Sequence, residues 1–285
     1  MVDAKIAAAL AVQRREITEY YVYSALAKIC KDPGNAAVLQ NIADEEKKHA
    51  QFWQNKTGTE AKPSRFKIFH TVLRARILGL TFTLKQMEKT EKKISLATGN
   101  LAEHFPGADT IMRDEADHEK KLINMLDEER LRYAGSVVLG LNDALVELTG
   151  SLAGFTLALG NTRLISLAGL VTGVSASFSM AASEFLSCRA ENDPRAAKSA
   201  LYTGIAYVIT VAILILPFLL LPNKFAALGI TLLAAVLIIL VFNYYLATAR
   251  DLDFKSRFLE MTAISIGVAL LSFGIGFILN KVLGV

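Results

Sequence analysis

The sequence predicts an all-α protein in two parts, a four-helix bundle followed by a five-helix transmembrane domain, on three observations. Charge is unevenly spread: of 58 charged residues, 41 fall in residues 1–132 and 17 in residues 133–285. In the first part apolar residues recur at helical spacing. The second part holds five apolar runs, each close to or above the ~20 residues that cross a hydrocarbon core. These observations set the domain boundary at 132/133.

The net charge of +4 comes from basic residues interleaved with acids, which argues against a nucleic-acid partner. Cys30 and Cys188 lack paired spacing and read as free thiols in a reducing compartment. In the N-terminal MVDAKIAAALAVQRRE the arginines follow the apolar run, so it does not read as a signal peptide and the first domain is expected in the cytoplasm.

Residues 3–31 read as one amphipathic helix stopped by Asp32-Pro33-Gly34, and a second helix runs from about Asn35 to Asn55 with Gly58 beyond it. Thr57–Ser64 is a loop by composition. A third helix is expected over Arg65–Thr98, ending at Gly99, and a fourth over Ala108–Tyr133, after Pro106 and Gly107. The front of the third, FKIFHTVLRARILGLTF, is basic and strongly apolar, which suits a packing face or a membrane surface. Four such helices make a bundle.

The inward charged positions carry the chemistry. Helix two holds Glu46-Lys-Lys-His49 and helix four holds Glu115-Ala-Asp-His118, each placing a carboxylate and an imidazole one turn apart on one face. Glu16 on helix one and Glu88, with Glu91 one turn on, complete a donor set of the kind that binds di-iron or di-manganese in carboxylate bundles. Such donors suit Fe(II), Mn(II) or Zn(II). A single Glu-x-x-His is common by accident on a helix rich in Glu and Lys. Here two of the chain's four histidines sit in that motif on separate helices, while His70 and His104 read as surface or loop residues. Tyr23, two turns from Glu16, reads equally as a core aromatic or as a support for that carboxylate.

This spacing of Glu16, Glu46-x-x-His49, Glu88 with Glu91, and Glu115-x-x-His118 resembles the ferritin-like family that includes rubrerythrins. The resemblance implies a two-iron site that oxidises Fe(II) with oxygen or peroxide. The rubredoxin-type cysteine pairs of full rubrerythrins are missing, so a peroxidase cycle lacks its electron donor. The loop between helices two and three, about ten residues, spans at most ~33 Å, just enough for the crossover of such a bundle. The alternative exchanges helices between two subunits, and either arrangement gives a dimer.

The five runs cover about 135–160, 164–187, 200–221, 225–247 and 258–280. The flanks Arg130, Arg132, Arg189, Arg195, Lys198, Arg250, Lys255 and Arg257 outnumber Arg163, Lys224 and Lys281, which predicts a cytoplasmic N-terminus and an outside C-terminus in the cell membrane. The first two runs hold the polar residues: Asn142, Asp143 and Glu147, then Met180 and Glu184 among serines. An acid in a span costs at least ~2.5–3.5 kcal/mol and marks an ion path. The later runs read as scaffold. Gly150/Gly154 and Gly169/Gly173 are expected at close helix contacts.

GLNDALVELTGSLAG and SMAASEFLS resemble the first two helices of the vacuolar iron transporter family, five-span dimers that exchange Fe(II), and often Mn(II), for protons. Asp143, Met180 and Glu184 match its pathway positions. Glu147 stands where a small polar residue is expected, and the link Cys188–Ser199 is too short for the charged metal-binding segment of plant-type members. The two parts together resemble bacterial and archaeal membrane-bound ferritins, associated with iron export. The expectation is a homodimeric Fe(II)/Mn(II) exporter whose partners are metal ions, protons and membrane lipid. Two other readings stand beside it: a membrane-anchored ferroxidase or peroxide scavenger, and a bundle whose metal only holds the dimer together.

Overall fold

In the computed structural model, residues 2–98, 105–124 and 133–283 are described, apart from the side chains of residues 2–4, 91–98, 119, 123–124 and 283. The described chain is helical and forms two compact units, Met1–Glu128 and Glu129–Val285.

Unit one contains α1 (Val2–Ile29), α2 (Pro33–Thr57), α3 (Arg65–Leu78), α4 (Leu80–Thr98) and α5 (Ala108–Asn124). Asp32 caps α2 by accepting from the Asn35 N–H at 2.7 Å, and Pro33 opens the helix where a missing N–H costs nothing. Gly58 closes it in the left-handed conformation, φ 66°. The following loop is tied to α1: Gln13 donates to Thr59 O at 3.0 Å, and Ser64 N donates to Thr18 Oγ1 at 3.0 Å.

The single helix expected over residues 65–98 is two helices. Gly79 adopts φ 97°, where a side chain would be strained, so α3 stops and α4 begins at Leu80. The fourth helix is described as far as Asn124, whereas Gly99, His104, Arg130 and Arg132 lie outside the described residues.

Two apolar clusters hold unit one together. Ala9, Val12, Trp53, Ala108 and Ile111 form one. Val22, Tyr23, Leu26, Leu39, Ile42, Ala43, Ala75, Leu84, Met87 and Leu122 form the other, so Tyr23 is a core aromatic. Along α1, α2 and α5 the residues between these clusters include Glu16, Glu19, Glu46, His49 and His118, all buried. A polar layer is thus closed off by apolar layers at both ends.

Unit two contains α6 (Ala134–Ala158), α7 (Thr162–Ala190), α8 (Ala196–Leu220), α9 (Lys224–Arg250) and α10 (Phe254–Leu283). All five are long and apolar enough to cross a membrane. Large apolar side chains such as Leu167, Phe178, Leu219 and Leu270 point outward at 60% exposure or more, the inverse of a water-soluble surface. These helices make the protein a multi-pass membrane protein.

The hub of unit two is α6, which packs against each of the other four helices. Its apolar face, Leu141, Ala144, Leu145, Leu148 and Leu152, lies in a core with Ile165, Tyr207, Val211, Leu214 and Phe218. Small residues allow the close approaches. A Cβ at Gly140 would stand 2.4 Å from Thr203 O, so α6 and α8 meet backbone to backbone there, and Thr203 Oγ1 donates to Ser136 O at 3.0 Å. At the glycine pairs expected from the sequence, a Cβ on Gly173 would meet Val211 at 2.6 Å and one on Gly154 would meet Ser272 O at 3.3 Å.

Gly140→Ala is therefore expected to lower the thermal stability of the detergent-solubilised protein, by an overpacking cost of about 1–3 kcal/mol. Gly229→Ala, where nothing lies within 4 Å, serves as the control and is expected to leave the melting temperature unchanged or raise it.

Candidate metal centre and membrane acids

In unit one Glu16, Glu46, His49 and Glu115 each offer a ligand atom within 4.8 Å of all the others. The i, i+3 spacing places Glu46 and His49 on one face of α2, while α1 and α5 bring Glu16 and Glu115 to it. His118 borders the cluster, its Nδ1 3.2 Å from Glu46 Oε1 and 4.0 Å from Glu115 Oε2. The two imidazoles stack with centroids 5.8 Å apart. Glu88 is not among the four residues of this cluster; one of its contacts is Lys85, at 3.4 Å. The Glu91 side chain lies outside the described residues.

The outer edges of both imidazoles are held by acids that the sequence reading did not single out. His49 Nε2 meets Asp114 at 3.2 Å, and His118 Nε2 meets Glu45. Carboxylate–imidazole pairs of this kind fix the tautomer and leave the inner nitrogen to coordinate. His118 together with Lys121 holds the Glu45 carboxyl below its usual range, against the opposing effect of burial.

Arg15 is the cation of this layer. Its Nη2 lies 2.8 Å from Glu16 and 3.5 Å from Glu115, and its Nε lies 3.6 Å from Glu19. Burial opposes its charge, yet the three carboxylates outweigh that and hold it firmly protonated. Even so, burial first and then the charge of Glu46 lift Glu16 well above the carboxylate range. Glu115 is pushed up to about 7, again by burial and then by Glu16. One guanidinium does not neutralise this many acids.

The donor chemistry fits a divalent cation. Carboxylate oxygens with imidazole nitrogens suit Fe, Mn or Zn ions, and Glu16 Oε2, His49 Nδ1 and His118 Nδ1 are buried without a hydrogen-bond partner among the described residues. Buried polar atoms are costly when nothing answers them, and a bound cation at this spot would answer all three.

In unit two the acids fall into two groups. Tyr207 of α8 donates to Glu147 Oε2 at 2.8 Å and also interacts with half-buried Asp143. Ser136 donates to Glu184 Oε1 at 2.8 Å, and the Cys188 thiol reaches the same oxygen at 3.7 Å. Ser136, Asp143 and Glu147 lie at i, i+7 and i+11 on one face of α6, a ladder ~16 Å long. Met180 is half-buried against the apolar core of unit two, one turn from Glu184 on α7. The third span, read as scaffold from the sequence, sets its buried Tyr207 hydroxyl against the acids of the first.

Two outcomes follow for unit one. With the raised acids Glu16 and Glu115, stability contributed by their protonated forms is complete below about pH 4.5 and is lost as pH rises through about 7, so the metal-free bundle should melt lower at pH 8 than at pH 5. Trp53, the one tryptophan, is buried in this unit and reports its unfolding by fluorescence. Arg15→Gln should cost the metal-free bundle about 3–5 kcal/mol at neutral pH, the penalty for leaving buried charge uncompensated. Adding Mn(II) should return most of that loss, which a melting series with and without the metal would read.

Among protein-family models, the one described as the VIT family matches residues 134–198. No curated protein matches the chain. The matched segment spans α6, α7 and the start of α8, carries Asp143, Glu147, Met180 and Glu184, and supports a metal-ion transporter.

Proposed function

We propose that the protein is a homodimeric transporter that exports Fe(II) or Mn(II) from the cytoplasm in exchange for protons. In this reading residues 1–132 are a ferritin-like four-helix bundle that collects the metal, and residues 133–285 are a vacuolar-iron-transporter-like membrane domain. The observation that carries it is the pair of carboxylates on α6, the hub helix, Asp143 and Glu147 one turn apart inside the VIT-matched segment. A passive anchor has no use for acids in its spans.

The chemistry of exchange lies in the carboxylates. An ionised Asp143 binds a divalent ion; a protonated one releases it, and this competition is the minimum needed for antiport. The Tyr207 hydroxyl donates to Glu147, which orients that carboxylate and supports its charge where water is scarce. Ser136 does the same for Glu184, with Met180 one turn away as a soft donor. Glu147 is exposed on the single chain, and a carboxylate facing lipid is costly, so a second copy covering this face of α6 is the favoured state.

Five spans put the two ends of unit two on opposite sides. Arg189, Arg195, Lys198, Arg250, Lys255 and Arg257 flank one side, against Arg163, Lys224 and Lys281 on the other, so the N-terminal unit is assigned to the cytoplasm and the protein to the cell membrane. In the bundle, Glu16, Glu46, His49 and Glu115 would hold the metal, with His118 alongside and Arg15 as the counter-cation that it displaces. Bound iron or manganese would supply redox and Lewis-acid chemistry there. Because that cluster is built within unit one, a second reading is a ferritin-like oxidase anchored by its spans.

Anaerobic Fe(II) uptake into proteoliposomes that enclose a pH dye separates the two. The transporter reading expects uptake with protons moving the other way, abolished by Asp143→Ala and only slowed by Glu46→Ala. Iron binding without uptake in the parent protein would leave the anchored enzyme.

A further inference from the structure

The outward face of α3 is unlike the rest of the described surface of unit one. Phe66, Phe69, Leu73 and Ile77 are exposed at 75%, 63%, 39% and 62%, while Thr71 and Ala75 on the opposite face are buried. His70 lies between the two phenylalanines, its ring 4.1 Å from Phe66 and 5.5 Å from Phe69. At 100° per residue these five positions form one stripe, with Arg74 along one edge and Arg65 and Arg76 along the other. Lys67 pairs with Glu19 at 3.2 Å, but among the described residues no carboxylate pairs with Arg65, Arg74 or Arg76. From Ala61 to Met87 the chain has six basic residues and no acid.

We propose that α3 is an interfacial helix that docks unit one on the anionic surface of the bilayer its own chain spans. The stripe supplies an apolar strip ~16 Å long for the acyl boundary, and the flanking arginines can rest their stems on it while their guanidinium groups meet lipid phosphates. The alternative occupant, a second copy of α3, is disfavoured by charge. A two-fold contact sets each patch against its own image, and this segment would bring arginine toward arginine with no acid to separate them. Tethering adds to the case, since five membrane-capable helices in the same chain keep the bilayer within reach at high effective concentration.

The test uses the full chain in nanodiscs with acyl chains brominated near the headgroup, made either of phosphatidylglycerol or of phosphatidylcholine alone. Phe69→Trp places an indole on the exposed stripe, and the buried Trp53 of the parent gives the background. In phosphatidylglycerol the variant should lose at least half of its added emission, and that quenching should disappear when Arg65, Arg74 and Arg76 are all changed to Glu. Added emission as bright in phosphatidylglycerol as in phosphatidylcholine would overturn the proposal. So would efficient cross-linking of Phe69→Cys between two copies in the same discs, which would assign the face to a second subunit.

Discussion

An ionised carboxylate taken out of water needs something to answer its charge, and both units are arranged around that demand. In unit one Glu16, Glu19, Glu46 and Glu115 gather in a layer that apolar clusters close at either end. Arg15 answers part of the charge, proton uptake by the raised acids answers more, and a divalent ion would answer the rest. In unit two the answer is weaker: a phenol for Glu147 and a hydroxyl for Glu184. Neutral donors support a carboxylate without cancelling it, which leaves its affinity for a cation intact.

That difference suits different tasks. A site with a built-in guanidinium, and with imidazoles oriented by Asp114 and Glu45, is pre-organised for a ligand. The acids along the most enclosed membrane helix, Asp143 and Glu147 one turn apart with Glu184 held by Ser136 two turns away, would offer several weak positions in sequence. An ion that is to leave must not be held too well. The close approach of α6 to α8 at Gly140 is what lets Tyr207 reach those acids, so the packing of small residues and the chemistry of the ladder are one feature.

Much of this was legible in the sequence because helical spacing fixes faces. Glu-x-x-His on α2 and α5 and the lone Glu16 pointed to one site, and Glu16, Glu46, His49 and Glu115 do come together. The five apolar runs became five helices because each is long enough to cross a hydrocarbon core. The break at Gly79 was not legible, because Leu-Gly-Leu hides in an otherwise regular apolar pattern. Arg15, Glu19, Glu45 and Asp114 sit on helices dense in charge, where one more ion looks like solvated surface; only the Arg15/Glu19 spacing, one turn and on the face of Glu16, was a sign. Tyr207 was lost among apolar neighbours, although a phenol in a membrane span needs a hydrogen-bond acceptor and the acids were the obvious ones.

The central claim, that this chain couples the movement of a divalent metal to protons, is tested most directly by imposing a pH gradient. Proteoliposomes with an acidic lumen and equal Mn(II) on both sides should concentrate the metal inside, and collapsing the gradient with a protonophore should release the excess. If Mn(II) stays equal on both sides while the same preparation binds the metal, the membrane acids do not exchange protons for metal and the account fails.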